Sequence, residues 1–300
     1  MTLPAPRSSP PGKPVPRRHS IRSLDEGLSG IARAISGAVA GALRIARALL
    51  VSQYALMLEY RAEILLWALS GLMPLLMFAL WRQAPAGAAA GISPQQFARY
   101  FLAALVVRQF TVVWVVYAFE EDNLLGRLSP LLLQPLPLIW RYAAAHLAEQ
   151  ATRLPFVAVM VALFAALVPE ALPPADPVRL VLALLAMHLG FWLAFLMQHA
   201  ITMLCFWSER ASALERLLSI PSLFLSGLLA PLDLFPPAVR SLALHSPFAS
   251  MLYVPAQLAS GGPIAIGPAF ANALAWLALL VPLNLLLWRA GVRRYAALGA

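Results

Sequence analysis

Residues 178–206 read VRLVLALLAMHLGFWLAFLMQHAITMLCF, an apolar run with Arg179 as its only formal charge. A helix needs roughly 20 mainly apolar residues to cross the hydrocarbon core of a bilayer, so this run predicts a spanning helix. The whole chain has the same character, with 61% hydrophobic and 12% charged residues and a mean hydropathy of +0.76. Soluble domains are about one quarter charged. We therefore predict an all-α, polytopic membrane protein.

The chain after residue 60 repeats this apolar pattern. Pro74, Pro155 and Pro282 fall inside apolar runs. They do not mark helix ends, because neighbouring helices can satisfy the backbone groups that proline leaves free. We predict a six-span transmembrane domain over residues 61–300, with spans at about 64–81, 97–119, 147–168, 178–206, 217–231 and 264–288.

The N-terminal 60 residues are different. Residues 1–23 are rich in Pro, Ser and Arg and have no apolar core, which predicts a disordered cytoplasmic tail rather than a signal peptide. Residues 24–60 have helical periodicity, with Arg33, Arg44 and Arg47 opposite the apolar face. This pattern is typical of an amphipathic helix in the plane of the membrane surface. The alternative is a helix packed on a partner protein.

The distribution of basic residues predicts the orientation. Only Arg82, Arg99, Arg179 and Arg240 are expected on the side opposite the two termini, against sixteen Lys and Arg residues on the side of the termini. Loops that remain in the cytoplasm carry the excess of Lys and Arg, so both termini are expected to be cytoplasmic. The net charge of +9 is explained in this way, without a nucleic-acid partner.

Two connecting segments are too apolar for solvated loops. The cytoplasmic segment begins with EEDN at residues 120–123 and continues with LLGRLSPLLLQPLP to residue 137. It predicts a short helix along the membrane surface. The second segment, residues 232–263, is rich in Pro and apolar residues and predicts a hairpin that re-enters the bilayer from the outer side.

Arg108 lies in the middle of the second predicted span. A cation at the bilayer centre is costly and normally faces the protein interior or water. Arg108 is therefore a candidate cavity residue, together with Trp114 and His188. His188 and His199 are eleven residues apart and could share a helical face. Hydrogen bonds between packed helices are favoured over a metal site, because no third ligand accompanies them.

The chemistry that the chain lacks narrows its function. We expect no Asp or Glu to lie inside a span, which argues against a carrier driven by an ion gradient. The only lysine, Lys13, is followed by Pro14, so no P-loop is present. There is also no HExxH motif or nucleophile elbow. We expect no cofactor in this chain, and the energy for its work must come from elsewhere.

Two sets of motifs accompany this order of elements. They are Gly126-Arg127-Leu128 leading to LLQPL at 132–136, and Leu225-Ser226-Gly227 leading to Phe235-Pro236, Ser246-Pro247-Phe248 and Pro255. With an amphipathic helix, six spans, a cytoplasmic helix after the second span and an outer hairpin before the sixth, residues of about 40–300 resemble the transmembrane permease subunit of type-2 ABC (ATP-binding cassette) exporters.

The resemblance implies a permease dimer in the bacterial cytoplasmic (inner) membrane, formed with a second copy or a paralogous permease. Separate ABC ATPase subunits would hold ATP and Mg and drive the export of an amphipathic, drug-like, lipid or polysaccharide substrate. Residues of about 121–137 would form a coupling helix that inserts into the ATPase. The implied contact set is Glu120, Glu121, Asp122, Leu124, Leu125, Gly126, Arg127 and Leu128, and the implied outer gate is Phe235, Pro236, Pro247 and Phe248.

Within this interpretation, the acidic cluster would attract a basic groove on the ATPase, and Leu124, Leu125 and Leu128 would fill that groove. Two alternatives remain. One is an integral membrane enzyme that acts on lipids through Arg108 and His188. The other is a membrane scaffold with no transport role.

Overall fold

The computed structural model describes residues 20–59, 66, 69, 72–83, 91–208 and 210–297, with side chains from residue 36 to residue 295. Every regular element in this part of the chain is helical. Short 3-10 turns cover Pro169–Ala171, Met203–Phe206 and Leu232–Leu234. The helices are α1 (Ser20–Glu59), α2 (Met73–Arg82), α3 (Pro94–Thr111), α4 (Val115–Leu124), α5 (Leu128–Leu132), α6 (Leu138–Leu167), α7 (Pro177–Thr202), α8 (Ser212–Leu225), α9 (Pro237–His245), α10 (Pro247–Met251), α11 (Tyr253–Ser260) and α12 (Ile266–Ala297).

The chain divides into a unit of residues 1–48 and a unit of residues 49–300. Helix α1 covers the range predicted for the amphipathic helix, and residues 1–19 of the predicted tail lie outside the described residues. The part of α1 from Ser36 to Glu59 is long and apolar enough to cross a membrane. Its position in the plane of the membrane surface stays a prediction.

Four predicted spans coincide with long apolar helices. These are Pro94–Leu124, Leu138–Leu167, Pro177–Phe206 and Ile266–Tyr295, and each meets the length and composition of a membrane span. Together with Ser36–Glu59 they make five candidate spans among the described residues. The multi-pass, all-helical fold is therefore confirmed, while the predicted number of six spans is not.

The other two predicted spans differ from expectation. Only the second half of the first appears as a described helix, α2, and residues 60–65 lie outside the description. The fifth is replaced by α8, whose 14 residues measure about 21 Å at 1.5 Å per residue. That is shorter than the hydrocarbon core. Helix α8 carries Glu215 and Arg216 near its start, and the chain turns at Gly227 (φ 83°) soon after its end.

Helix α3 lies at the centre of the larger unit. Ser93 caps it by accepting a hydrogen bond from the N–H of Gln96, and Pro94 occupies its first turn, where a missing N–H costs nothing. Most of its residues are buried against α2, α6, α7 and α11. Phe97 and Phe101 pack edge to face with centroids 5.0 Å apart. Apolar side chains are distributed around α3 without a separate polar face, which suits this central position.

The second half of the segment predicted as an outer hairpin is part of the core, while most of α9 is exposed. Helices α10 and α11 are buried and pack on α3 and α7. Gly190 of α7 permits the close approach, because a Cβ there would lie 2.8 Å from the carbonyl oxygen of Ser250. Of the proposed gate residues, Pro247 and Phe248 are buried, Phe235 is half-buried and Pro236 is exposed. The first two are core residues in this conformation.

Candidate functional site

The second predicted span is interrupted in its middle. Helix α3 ends at Thr111, Val112 is extended (φ −71°, ψ 131°), and α4 begins after Trp114. Residues 111–116 read TVVWVV, and β-branched side chains disfavour helix because they lose rotamer freedom there. This run is the sequence signal that could have located the break, which sequence analysis missed.

One face of α6 satisfies the carbonyl groups that the break leaves free. The side-chain amide of Gln150 donates to the carbonyl oxygen of Phe110 at 2.7 Å, and Arg153 Nη1 donates to that of Gln109 at 3.0 Å. Residues three or four apart lie on one face of a helix. The polar spacing along α6 was therefore a second usable signal, and sequence analysis overlooked it.

The same face of α6 also binds the backbone at the α4 end of the break. The N–H of Trp114 donates to Nε2 of His146 at 2.8 Å, and His146 Nδ1 lies 2.8 Å from the carbonyl oxygen of Tyr142. Since Nε2 accepts a hydrogen bond, Nδ1 carries the proton and donates to Tyr142. The backbone groups of Gln109, Phe110 and Trp114 at the break thus have side-chain partners on α6, as buried backbone groups require.

The expectation that no carboxylate lies inside a span is wrong. Glu149 lies within α6, inside the range predicted for the third span, and forms an ion pair with Arg153. The side chains of Arg153 and Glu149 are only 3% and 15% exposed. The carboxylate is tolerated because the guanidinium compensates its charge, and Arg153 also supports the break. The pair therefore has a structural explanation and needs no coupling ion.

A cavity of about 270 Å³ opens beside the break, lined by residues of α3, α7, α8 and α10. Arg108 and Trp114 line it, together with Gln198 and Glu215. The predicted cavity role of His188 is not supported, because His188 is exposed on α7 and does not line this space. The proposed enzyme site of Arg108 with His188 is therefore not assembled in this conformation.

His199 makes the kind of contact that the sequence favoured. Its Nδ1 lies 2.7 Å from Oδ1 of Asn284 on α12, and the amide group of Asn284 donates to the carbonyl oxygens of Leu196 and Leu280. This is a hydrogen bond between packed helices. Within the described residues, no three His, Cys, Asp or Glu side chains are grouped as a metal site requires.

The acidic cluster after the broken span bonds within the chain. Glu120 accepts from the N–H and Oγ of Ser212 at 2.8 and 3.0 Å, which caps the start of α8. Asp122 accepts from Tyr142 at 2.7 Å and from Arg127 at 2.8 Å. These carboxylates thus fix the local fold, and their charge is largely compensated there.

Arg127 closes the turn between α4 and α5. It contacts Glu121 and Asp122 at 2.8 Å each, and these two hydrogen bonds raise the pKa of its guanidinium. Gly126 has φ 69°, a left-handed conformation that glycine adopts at little cost. The predicted surface helix is shorter than expected, because α5 contains only residues 128–132.

The leucines of this turn divide into two groups. Leu128 is fully buried, so its predicted contact with a partner is wrong for this conformation, and its side chain holds α5 against the core. Leu124, Leu125 and Leu133 are 52%, 61% and 87% exposed. We call these three residues the leucine patch. Leu133 was not in the predicted contact set.

A second polar cluster holds the segment after α8. Asp233 accepts hydrogen bonds from Tyr253 (2.9 Å) and Gln257 (2.6 Å), and Arg240 forms an ion pair with it at 2.7 Å. These residues come from the 3-10 turn at Leu232–Leu234 and from α9 and α11. The cluster fixes the segment that contains the predicted outer gate.

Comparison with protein families identifies the chain. Residues 69–299 match the family described as ABC-2 family transporter protein. The match covers most of the chain, which therefore belongs to this family, and the resemblance to type-2 ABC permeases is confirmed. No curated protein and no solved structure shows a significant similarity to the chain. It is a multi-pass membrane protein of ABC transport.

Proposed function

We propose that this chain is the membrane-spanning permease subunit of an ATP-driven exporter. Two permeases, identical or paralogous, work with separate ATPase subunits, which bind ATP and Mg. Amphipathic compounds such as drugs, lipids or polysaccharide precursors leave the cytoplasm through the pair. The family membership supports the permease role, and the distribution of Arg supports an inner-membrane protein with both termini in the cytoplasm.

The observation that carries this proposal is the leucine patch. Its side chains are exposed in the same stretch of chain, residues 121–133, as the charged side chains of Glu121 and Arg127, which are themselves exposed. Charged groups prefer water or lipid head groups, so the patch lies at the aqueous end of the broken span. An apolar patch bordered by charges on an aqueous surface marks a protein-interaction site. We assign it to the docking of an ATPase subunit.

The remaining charges of the turn support this surface indirectly. Glu120 caps α8, and the two ion pairs of Arg127 hold the turn in shape. In this proposal they orient the leucine patch instead of forming the first contact with a basic groove. A pre-organised surface loses less entropy on binding, which suits a contact that transmits force.

The test is the double variant Leu124→Asp/Leu125→Asp. We expect it to weaken co-purification with an ABC ATPase subunit from the same organism by on the order of tenfold or more, because two carboxylates would be desolvated in an apolar contact. Pull-down from detergent and stimulation of ATP hydrolysis provide the measurements. Both leucines are more than half exposed, so the variant should fold.

The matched control is Leu172→Asp. Leu172 is 50% exposed and lies between α6 and α7, at the end of α6 opposite the leucine patch. The Leu172→Asp variant should bind the ATPase subunit as well as the wild type does. Undiminished co-purification of the double variant, or an equal loss in the control, would contradict ATPase docking at the leucine patch.

A further inference from the structure

The cavity beside the broken span, here named the Arg108 cavity, has an uneven charge distribution. Within the described residues, Arg108 forms no ion pair. The second nearby guanidinium, that of Arg153, is compensated by Glu149. Arg108 thus presents a positive charge to a partly open cavity, in which Glu215 is the other charged side chain.

Two further features of the wall favour an anion. Val112 and Val113 line the cavity directly before α4 begins, and a helix N-terminus carries a partial positive charge. Ser219, Ser222 and Ser226 also line the cavity. The hydroxyl group of Ser219 donates to the carbonyl oxygen of Arg216 at 2.7 Å, which leaves the hydroxyl groups of Ser222 and Ser226 to donate hydrogen bonds to an anionic oxygen.

The size of the cavity limits what it can hold. About 270 Å³ is below the roughly 300–1,000 Å³ of pockets that enclose a drug-sized ligand. A whole drug or an oligosaccharide does not fit this space, whereas one compact charged group does. The cavity also includes apolar walls, such as Leu218 and Met251.

We propose that the Arg108 cavity binds the anionic head group, a carboxylate or a phosphate monoester, of an amphipathic cargo, which rests on the exporter function proposed above. Arg108 contacts the anionic oxygens with its guanidinium, which can donate two parallel hydrogen bonds to such a group. The apolar part of the cargo remains outside the cavity. This narrows the cargo to amphipathic anions.

Glu215 sets a limit on the affinity of this site. It lines the same cavity and accepts hydrogen bonds from Tyr117 at 2.9 Å and Gln198 at 3.4 Å. Its negative charge repels an anionic head group. A transported anion must also leave, and a carboxylate in the same cavity keeps binding from becoming too tight.

The experiment measures binding to the full-length chain in a non-ionic detergent by isothermal titration calorimetry. The probe is dodecyl phosphate, with dodecanol as the neutral amphiphile and inorganic phosphate as the soluble anion. We expect Arg108→Gln to weaken the binding of dodecyl phosphate on the order of tenfold, the effect of losing a charge-assisted hydrogen bond. Arg108→Lys should retain part of the affinity for dodecyl phosphate. Neither substitution should change the affinity for dodecanol.

Glu215→Gln provides an independent test with the opposite sign. It removes the repelling charge while keeping an acceptor for Tyr117, and should tighten dodecyl phosphate binding roughly two- to tenfold. If the Arg108→Gln protein aggregates, the affinity of Glu215→Gln for dodecyl phosphate tests the proposal alone. Arg179→Gln, on a side chain that contacts Asp176 and Gly262 at the other end of α7, should leave binding unchanged.

Three outcomes would overturn the proposal. They are equal binding of dodecyl phosphate by the wild type and Arg108→Gln, unchanged or weaker binding by Glu215→Gln, and equal binding of dodecanol and dodecyl phosphate. Binding of inorganic phosphate as tight as that of dodecyl phosphate would assign the cavity to a soluble anion and reject a cargo head group. These measurements need no ATPase subunit. A negative result for anion binding in the Arg108 cavity is therefore distinguishable from a negative result for ATPase docking at the leucine patch.

Discussion

Replacing Gly227 with alanine should destabilise the folded chain by roughly 2–4 kcal/mol, from backbone strain and overpacking together. Gly227 has φ 83°, and a Cβ there would lie 2.5 Å from Oη of Tyr100 and 3.1 Å from Cβ of Tyr253. The same Tyr100 hydroxyl donates to the carbonyl oxygen of Gly227 at 2.7 Å. The measurement is the midpoint of thermal unfolding in detergent.

Two companion variants separate the causes. Gly267→Ala, in a helix where nothing lies within 4 Å of the added Cβ, should be neutral or slightly stabilising. Adding Tyr100→Phe to Gly227→Ala removes the closest clash and should recover part of the loss. Equal midpoints for Gly227→Ala and Gly267→Ala would show that the turn does not need glycine.

Replacing Arg153 with methionine should cost about 3–5 kcal/mol, because it leaves a buried charge without its partner. The change leaves the carboxylate of Glu149 uncompensated and removes the donor to the carbonyl oxygen of Gln109. We expect loss of monodisperse protein after extraction and a large drop in the unfolding midpoint.

The double variant Arg153→Met/Glu149→Leu tests this explanation. Replacing both charges by apolar groups is often far less harmful than removing one, so the double variant should be more stable than Arg153→Met. The carbonyl oxygen of Gln109 still lacks its donor, so recovery should be partial. A double variant no more stable than the single one would mean that the ion pair is not the source of the effect.

Much of the fold was predictable because burial in lipid demands long apolar helices. Four spans and the tolerance of Pro155 and Pro282 inside helices followed from this demand alone. The break at residues 112–114 contains neither Gly nor Pro, so the usual signals of interruption were missing. Only its β-branched run indicated it, and propensity is a weak guide where tertiary contacts supply the hydrogen bonds.

The site was predicted in part. The charge of Arg108 in the middle of a predicted span indicated a cavity residue, and Arg108 lines the cavity beside the break. The acidic cluster at residues 120–122 was interpreted as a free surface, yet its partners Ser212 and Tyr142 are distant in sequence. Only the ion pairs with Arg127 join residues that are close in sequence, and no local pattern shows the bonds to Ser212 and Tyr142. The polar face of α6 was visible in sequence and was simply overlooked.

The interruption after Thr111 also separates the turn at Gly126 from the buried helix α3. The regular helical hydrogen bonds stop at Thr111 and begin again with the carbonyl of Trp114, so α3 and α4 are not one continuous rod. A displacement of the turn at Gly126 would therefore reach Arg108 through a non-helical joint, cross-linked to α6, instead of through a rigid helix.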